Sequence, residues 1–284
     1  MRTHDATALP SAIQPNAKKG ALLYISDYVA GTVSLYSYPK LKPVGMLTGF
    51  SAPEGMCVDA ASNVWVVDTG ASKIVEYAHG ATKPTTTLLD PGFFPVSCSV
   101  NPQTGDLAVG NIFTTRSVQP GNIALYKNAS GSPSYYTTKS SGIYSVYFMA
   151  YDPKGNLFFD GANAQPSDGS FIYAEIPKKS NDVKVVTLTG AVFGFPGGVA
   201  WDGKHIAVGD QDNAVVYQTQ GSKIVGSTPL TGSVDVVGYA ISGKTLVGPD
   251  GAKANAGVYD YAAGGSPTKV LSGFSDPLGA AISP

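Results

Sequence analysis

Charge is scarce in this sequence. Of 284 residues only 14% are Asp, Glu, Lys or Arg, and the net charge is −1. Arginine occurs only as Arg2 and Arg116, and glutamate only as Glu54, Glu76 and Glu175. With no basic stripe to neutralise phosphates, nucleic acid is not expected as a partner. Long apolar runs are lacking as well, since none approaches the roughly 18–20 residues that span a bilayer. The opening MRTHDATALPSAIQPNAKKG holds no signal-peptide core. Residues 1–19 read as a flexible polar lead-in, the expectation being a start Met joined to a mature sequence whose signal peptide has been removed. Histidine is almost absent. His4 lies in the lead-in, and His79 and His205 fall at strand ends away from where inner strands begin. That counts against His-dependent hydrolase or lyase chemistry, which needs a group titrating near neutrality. No GxSxG elbow or phosphate-cradling loop is present.

Turn formers are plentiful. Gly contributes 34 residues and Pro 20, against 43% hydrophobic residues. This mix disfavours helices and suits many short strands. One stretch, LTGFSAPEGMCVDAASNVWVVD (47–68), returns near the C-terminus as LSGFSDPLGAAIS (271–283). Between them lie degenerate copies, each of four short strands separated by Gly, Asn, Asp and Pro turns. Full copies open at PEGMCVD (53–59), PVSCSVN (95–101), VYFMAYD (146–152), GGVAWD (197–202) and VDVVGYAIS (234–242). Three strands stand before the first copy (Leu22–Asp27, Val33–Tyr38, Val44–Leu47), and PLGAAIS is left over at the end. Together the leftovers make one more unit. A repeat of about 40–50 residues built this way is the mark of a radial β-array. The sequence therefore predicts an all-β, six-bladed β-propeller over residues 20–284, closed by its C-terminal strand so that no sheet edge stays open. A monomer is expected.

The segment PEGMCVDAASNVWVVD (53–68), with a weaker copy in AYDPKGNLFFD (150–160), resembles the NHL-type and gluconolactonase-like propellers of the TolB-like superfamily. The resemblance covers roughly residues 20–284 and specifies fold better than activity. It implies, as one outcome, a metal-dependent lactonase- or esterase-like hydrolase holding a divalent cation such as Ca²⁺ at the mouth of the tunnel. Only Glu54 carries over, because Pro53-Glu54-Gly55 reverses the family's Glu-Gly-Pro order and the Asn-Gly and Pro-Asp-Gly elements are missing from the other inner strands. The other outcome, which the residues favour, is a secreted or periplasmic recognition module for a small molecule, glycan or protein segment.

Several residues are candidates for a site. Asp27, Asp68, Asn111, Asp160, Asp210 and Asp250 end the second strand of each blade and read chiefly as turn caps. Tyr36, Tyr77, Tyr126, Tyr217 and Tyr261 recur on third strands and are expected to pack between blades. The Asp210–Asn213 turn, with Asp212, is a candidate cation loop. Ligand-binding residues are expected at the mouth: Glu54, Tyr147, Asp235 and Asp276, with Arg116, Asn163 and Asp168 on the two longest loops, 112–120 and 161–169.

Cys57 and Cys98 fall on inner strands of consecutive blades, two and three residues before the equivalent Asp59 and Asn101. Side chains alternate along a strand, so this odd offset turns one thiol forward and the other back. Near the axis the blades converge to within disulfide reach, at a Cα separation of about 5.5–6 Å. A disulfide is expected, and with it an oxidising compartment. Two small buried thiols are the alternative.

Overall fold

The computed structural model describes residues 10–116, 120–138, 141–163 and 170–284. It is a ring of six antiparallel sheets. Ahead of the ring lies β1 (Ala12–Ile13). Blade I then takes β2 (Leu22–Asp27), β3 (Thr32–Ser37) and β4 (Lys42–Thr48). Blade II holds β5 (Pro53–Val58), β6 (Val64–Asp68), β7 (Lys73–Tyr77) and β8 (Pro84–Leu89). Blade III holds β9 (Phe93–Val100), β10 (Leu107–Thr114), β11 (Pro120–Tyr126) and β12 (Ser134–Thr137). Blade IV has β13 (Ser145–Tyr151), β14 (Leu157–Ala162), β15 (Phe171–Ile176) and β16 (Lys184–Val185). Blade V has β17 (Pro196–Trp201), β18 (Ile206–Asp210), β19 (Val215–Gln220) and β20 (Lys223–Pro229). Blade VI has β21 (Ala240–Ser242), β22 (Thr245–Asp250), β23 (Asn255–Asp260) and β24 (Lys269–Ser272). The last strand, β25 (Pro277–Ser283), is the innermost strand of blade I.

Closure follows from pairing β2 with β25, from Leu22 opposite Ser283 to Asp27 opposite Pro277. The seam is pinned at its lower end. His79 places Nδ1 2.6 Å from Ser283 Oγ and Nε2 3.1 Å from the Gly20 carbonyl oxygen, so this imidazole joins the first blade strands to the last. In the lead-in, Ala12 and Ile13 pair with Met46 and Gly45 and add a fifth strand to the outer edge of blade I. A short 3-10 turn, Pro15–Lys19, links it to the ring.

Strand alternation supplies six apolar clusters, one at each junction between neighbouring blades. Trp65, Ile74 and Tyr126, for example, fill the seam between blades II and III. Two predicted strands are shorter than their sequences imply. In 234–242 only Ala240–Ser242 pairs regularly within its sheet, beyond a single bridge from Val236 to Asp250. The reason is that the preceding backbone bonds sideways, with Gly198 N–H donating to Val237 O and Gly238 N–H to Leu278 O. In 183–190 only Lys184–Val185 pairs with β15, and Thr189 bridges to Lys223 of the next blade.

Candidate functional site

The axis is nearly closed. Inner strands touch so closely that a Cβ on Gly279 would collide with the Glu54 carbonyl oxygen, and one on Gly55 with that of Val96. Polar bonds tie these strands together. Ser26 Oγ donates to Glu54 O at 2.5 Å and accepts from Gly279 N–H at 2.9 Å. Thr69 Oγ1 donates to Pro95 O at 2.6 Å, and Ser97 Oγ donates to Tyr147 O. A cavity of about 40 Å³ lies on the axis, bordered by Gly55, Ser97, Gly198, Gly238 and Gly279 among others.

The disulfide lies beside this axis. Cys57 of β5 and Cys98 of β9 are bonded, with their Cα atoms 5.6 Å apart. The odd offset and the convergence of blades near the centre give the separation expected of such a bond.

Register at the upper end of the ring defines the mouth. Pro53, Pro95, Pro196 and Pro277 pair with Asp68, Asn111, Asp210 and Asp27, and Val236 bridges Asp250. In blade IV, Val146 occupies the same place but pairs with Gly161. Asp160 is thus one residue out of register with the other five, contrary to the sequence expectation that all six are equivalent. One residue of slip turns a strand side chain to the opposite face. Asp160 is as fully buried as Asp68, but one of its oxygens accepts Phe148 N–H of its own inner strand at 2.8 Å, and burial holds its carboxyl well above the usual range.

The carboxylates in common register do cap, as expected, but their reach is wider than their own turns. Asp68 accepts Ser51 and Ala52 N–H at 2.8 and 3.0 Å, and Asp27 accepts Ser275 and Asp276 N–H at 2.7 and 3.0 Å. Asp210 accepts Gly194 N–H, and Asp250 accepts Val234 N–H. Each thereby holds the segment that enters the inner strand of its own blade. Asp210 also takes Asn213 Nδ2 at 2.7 Å, so its oxygens are occupied by protein donors. Asp212 packs against Gly194. Among the described residues no three His, Cys, Asp or Glu side chains converge closely enough to hold a metal ion.

Most inner strands carry a β-bulge just after this register position, as at Glu54–Gly55 and Tyr147–Phe148. A bulge bends the strand and re-aims its side chains. Taking the residues flanking the six equivalent positions, the mouth divides into two halves. Asp235, Asp276 and Glu54 come from the consecutive blades VI, I and II. Phe94, Tyr147 and Phe195 come from the consecutive blades III, IV and V. All six side chains are partly exposed. Tyr147 meets Phe195 edge-on at 5.3 Å between ring centroids, and Phe94 lies 4.7 Å from Phe113.

The acidic half is electrostatically connected. Burial raises the Glu54 carboxyl from 4.5 to about 8; the neighbouring Thr69 hydroxyl opposes this and Asp276 adds to it. Asp276 is raised by burial and then by Asp27, and Asp235 by burial and then by Asp250 and Asp276. A Cβ at Gly251 would stand 2.6 Å from Asp276 Oδ1 and 3.4 Å from Asp235 Oδ2, so both carboxylates converge on one glycine. The link to the aromatic half is Tyr147, whose hydroxyl is pushed up to about 12 by burial, then by Asp160 and Glu54. Tyr28 is raised by burial and by Glu54 and Asp276.

Glu54, Tyr147, Asp235 and Asp276 are thus brought to one mouth. Arg116 and Asn163 are not part of it. Both lie in connections between second and third strands, one strand further from the axis, where Arg116 is exposed and Asn163 Oδ1 accepts Ser170 N–H within its own loop. Asp168 lies outside the described residues. Phe94, Phe195 and Tyr28 were not foreseen as mouth residues, because an aromatic at a strand start reads as core until the register is known. Of the lysines near the mouth, Lys73 pairs with Asp68 at 3.2 Å, and Lys253 Nζ donates to Gly232 O.

No family model matches the chain, and no curated protein matches it in sequence. Solved structures do. A chain from the crystal structure of a nidogen/laminin complex superposes with a TM-score of 0.75 at 13% identity, covering 93% of this chain and 99% of that one. A protein of unknown function from Bacteroides caccae superposes with a TM-score of 0.67 at 12% identity, again covering 93% and 99%. At these identities the likeness is one of fold, and it spans the whole ring.

Proposed function

We propose that this chain is a recognition module that reads its ligand on the mouth face of the propeller, outside the cytoplasm. One observation carries the reading: the axis is nearly closed, with a cavity of about 40 Å³ on it, while acidic and aromatic side chains with solvent contact gather directly above it. Exposed apolar residues stand around that mouth on the same face, with Val29 68%, Leu89 62%, Val192 87% and Val234 58% exposed. The nidogen/laminin likeness supports the same reading, since that propeller was solved in a complex between proteins. The Cys57–Cys98 bond supports an oxidising compartment. No helix among the described residues is long and apolar enough to cross a membrane. Kinship with NHL-type propellers rests on the Pro53–Asp68 motif and belongs to the same proposal.

The test is a ligand screen in EDTA and in added Ca²⁺, by thermal shift with small molecules, by glycan array and by peptide display. Binding that persists in EDTA and is lost in Val192→Asp/Val234→Asp supports a recognition module. Cation-dependent hydrolysis of a lactone or ester, abolished by Glu54→Gln, overturns it in favour of a metal hydrolase.

A further inference from the structure

Resting on that reading, we infer that the mouth takes a polypeptide partner which presents one lysine or arginine side chain between the acidic and aromatic halves. The charge complementarity is specific. Asp235, Asp276 and Glu54 form an arc over three neighbouring blades, and Phe94, Tyr147 and Phe195 face it from the other three. Carboxylates on one side and ring faces on the other are the two surfaces that stabilise an ammonium or guanidinium group. Lys73 is ion-paired with Asp68, while Lys253 donates to the Gly232 carbonyl oxygen and keeps its charge.

A bare metal ion is a poor fit, for no three acidic or imidazole side chains among the described residues approach closely enough to coordinate one. An ammonium or guanidinium group is held by separate hydrogen bonds and ring contacts and tolerates that wider spacing. The closed axis limits what enters to the end of a single side chain. A free amine would leave Val29, Leu89, Val192 and Val234 exposed, at 58–87% of their surface. A polypeptide covers them while its basic side chain occupies the centre, as expected where a charged contact sets register and apolar contacts set affinity.

The experiment pans a random dodecapeptide display library against the chain and measures affinities of the selected peptides. Selected peptides should share a Lys or Arg, and replacing it with norleucine should weaken binding at least tenfold. Glu54→Gln/Asp276→Asn should weaken binding by a similar factor, as should raising salt from 50 to 500 mM. Asp260→Asn, an exposed acidic position at the far end of β23, should leave affinity unchanged. Circular dichroism and thermal melts establish that each variant is folded. Selected peptides without a basic residue, or basic peptides that bind Glu54→Gln/Asp276→Asn as tightly as the parent, overturn the inference while leaving the recognition module standing, provided Val192→Asp/Val234→Asp abolishes that binding. Absence of any mouth-dependent binder overturns both.

Discussion

Replacing Glu54 with glutamine isolates the energetic consequence of placing a carboxyl at the mouth. Its ionisation is displaced from 4.5 to about 8, first by burial and further by Asp276, with the Thr69 hydroxyl acting in the opposite direction. In the unfolded chain the same carboxyl ionises near its ordinary value. Between 4.5 and about 8 the folded chain therefore holds a proton that the unfolded chain has released. The stabilising contribution is complete below the unfolded value and is lost as pH rises through the folded one. At about 1.4 kcal/mol per pH unit the whole window corresponds to about 5 kcal/mol. Glu54 retains some solvent contact, and screening there brings the expected figure to about 2–3 kcal/mol. Glutamine keeps the shape and removes the ionisation. Parent and variant should then match at about pH 4, with the variant more stable by about 2–3 kcal/mol at about pH 9, read from denaturant midpoints at fixed ionic strength. Asp235, Asp276, Tyr28 and Tyr147 are present in both proteins, so the difference reports Glu54. Stability curves that run parallel from acid to alkaline pH would refute the reasoning.

Two further outcomes test the fold around the site. Removing the disulfide with Cys57→Ala/Cys98→Ala opens a link between residues 41 apart in sequence and should lower stability by about 4 kcal/mol in denaturant titration, while thiol titration of the denatured parent finds no free cysteine. Gly279→Ala should cost about 1–3 kcal/mol and lower the melting temperature, because its Cβ meets the Glu54 carbonyl oxygen; a melt indistinguishable from the parent would show that the inner strands are not so close.

Burial makes ionisation of Glu54 costly, and on the proposed reading an arriving cation would offset that cost. The same logic explains why the supporting carboxylates are placed differently. Asp27, Asp68, Asp210 and Asp250 accept backbone N–H groups and hold the inner strands in place, while Glu54, Asp235 and Asp276 lie at the opening.

Blade number, strand order and closure were legible in the sequence because they depend on local rules: alternation of side chains, turn residues at fixed offsets, and a repeat that leaves matching fragments at the two ends. The disulfide was legible for the same reason, since an odd offset along two inner strands is a statement about faces. Register was not. Asp160 looks equivalent to Asp68 and Asp210 in sequence, yet the pairing of Val146 with Gly161 sets it one residue out of register. Nor does the sequence show that the backbone around Val237 and Gly238 bonds to neighbouring blades and shortens its own strand. The mouth is the clearest case. Glu54, Tyr147, Asp235 and Asp276 were recognisable as candidates one by one, but their division from Phe94 and Phe195 into an acidic and an aromatic half required the order of six blades around an axis. Sequence determines what each strand presents to its two faces; only closure of the ring decides which residues from distant strands share an opening, because that depends on bulges and on backbone contacts between blades that leave no local signature.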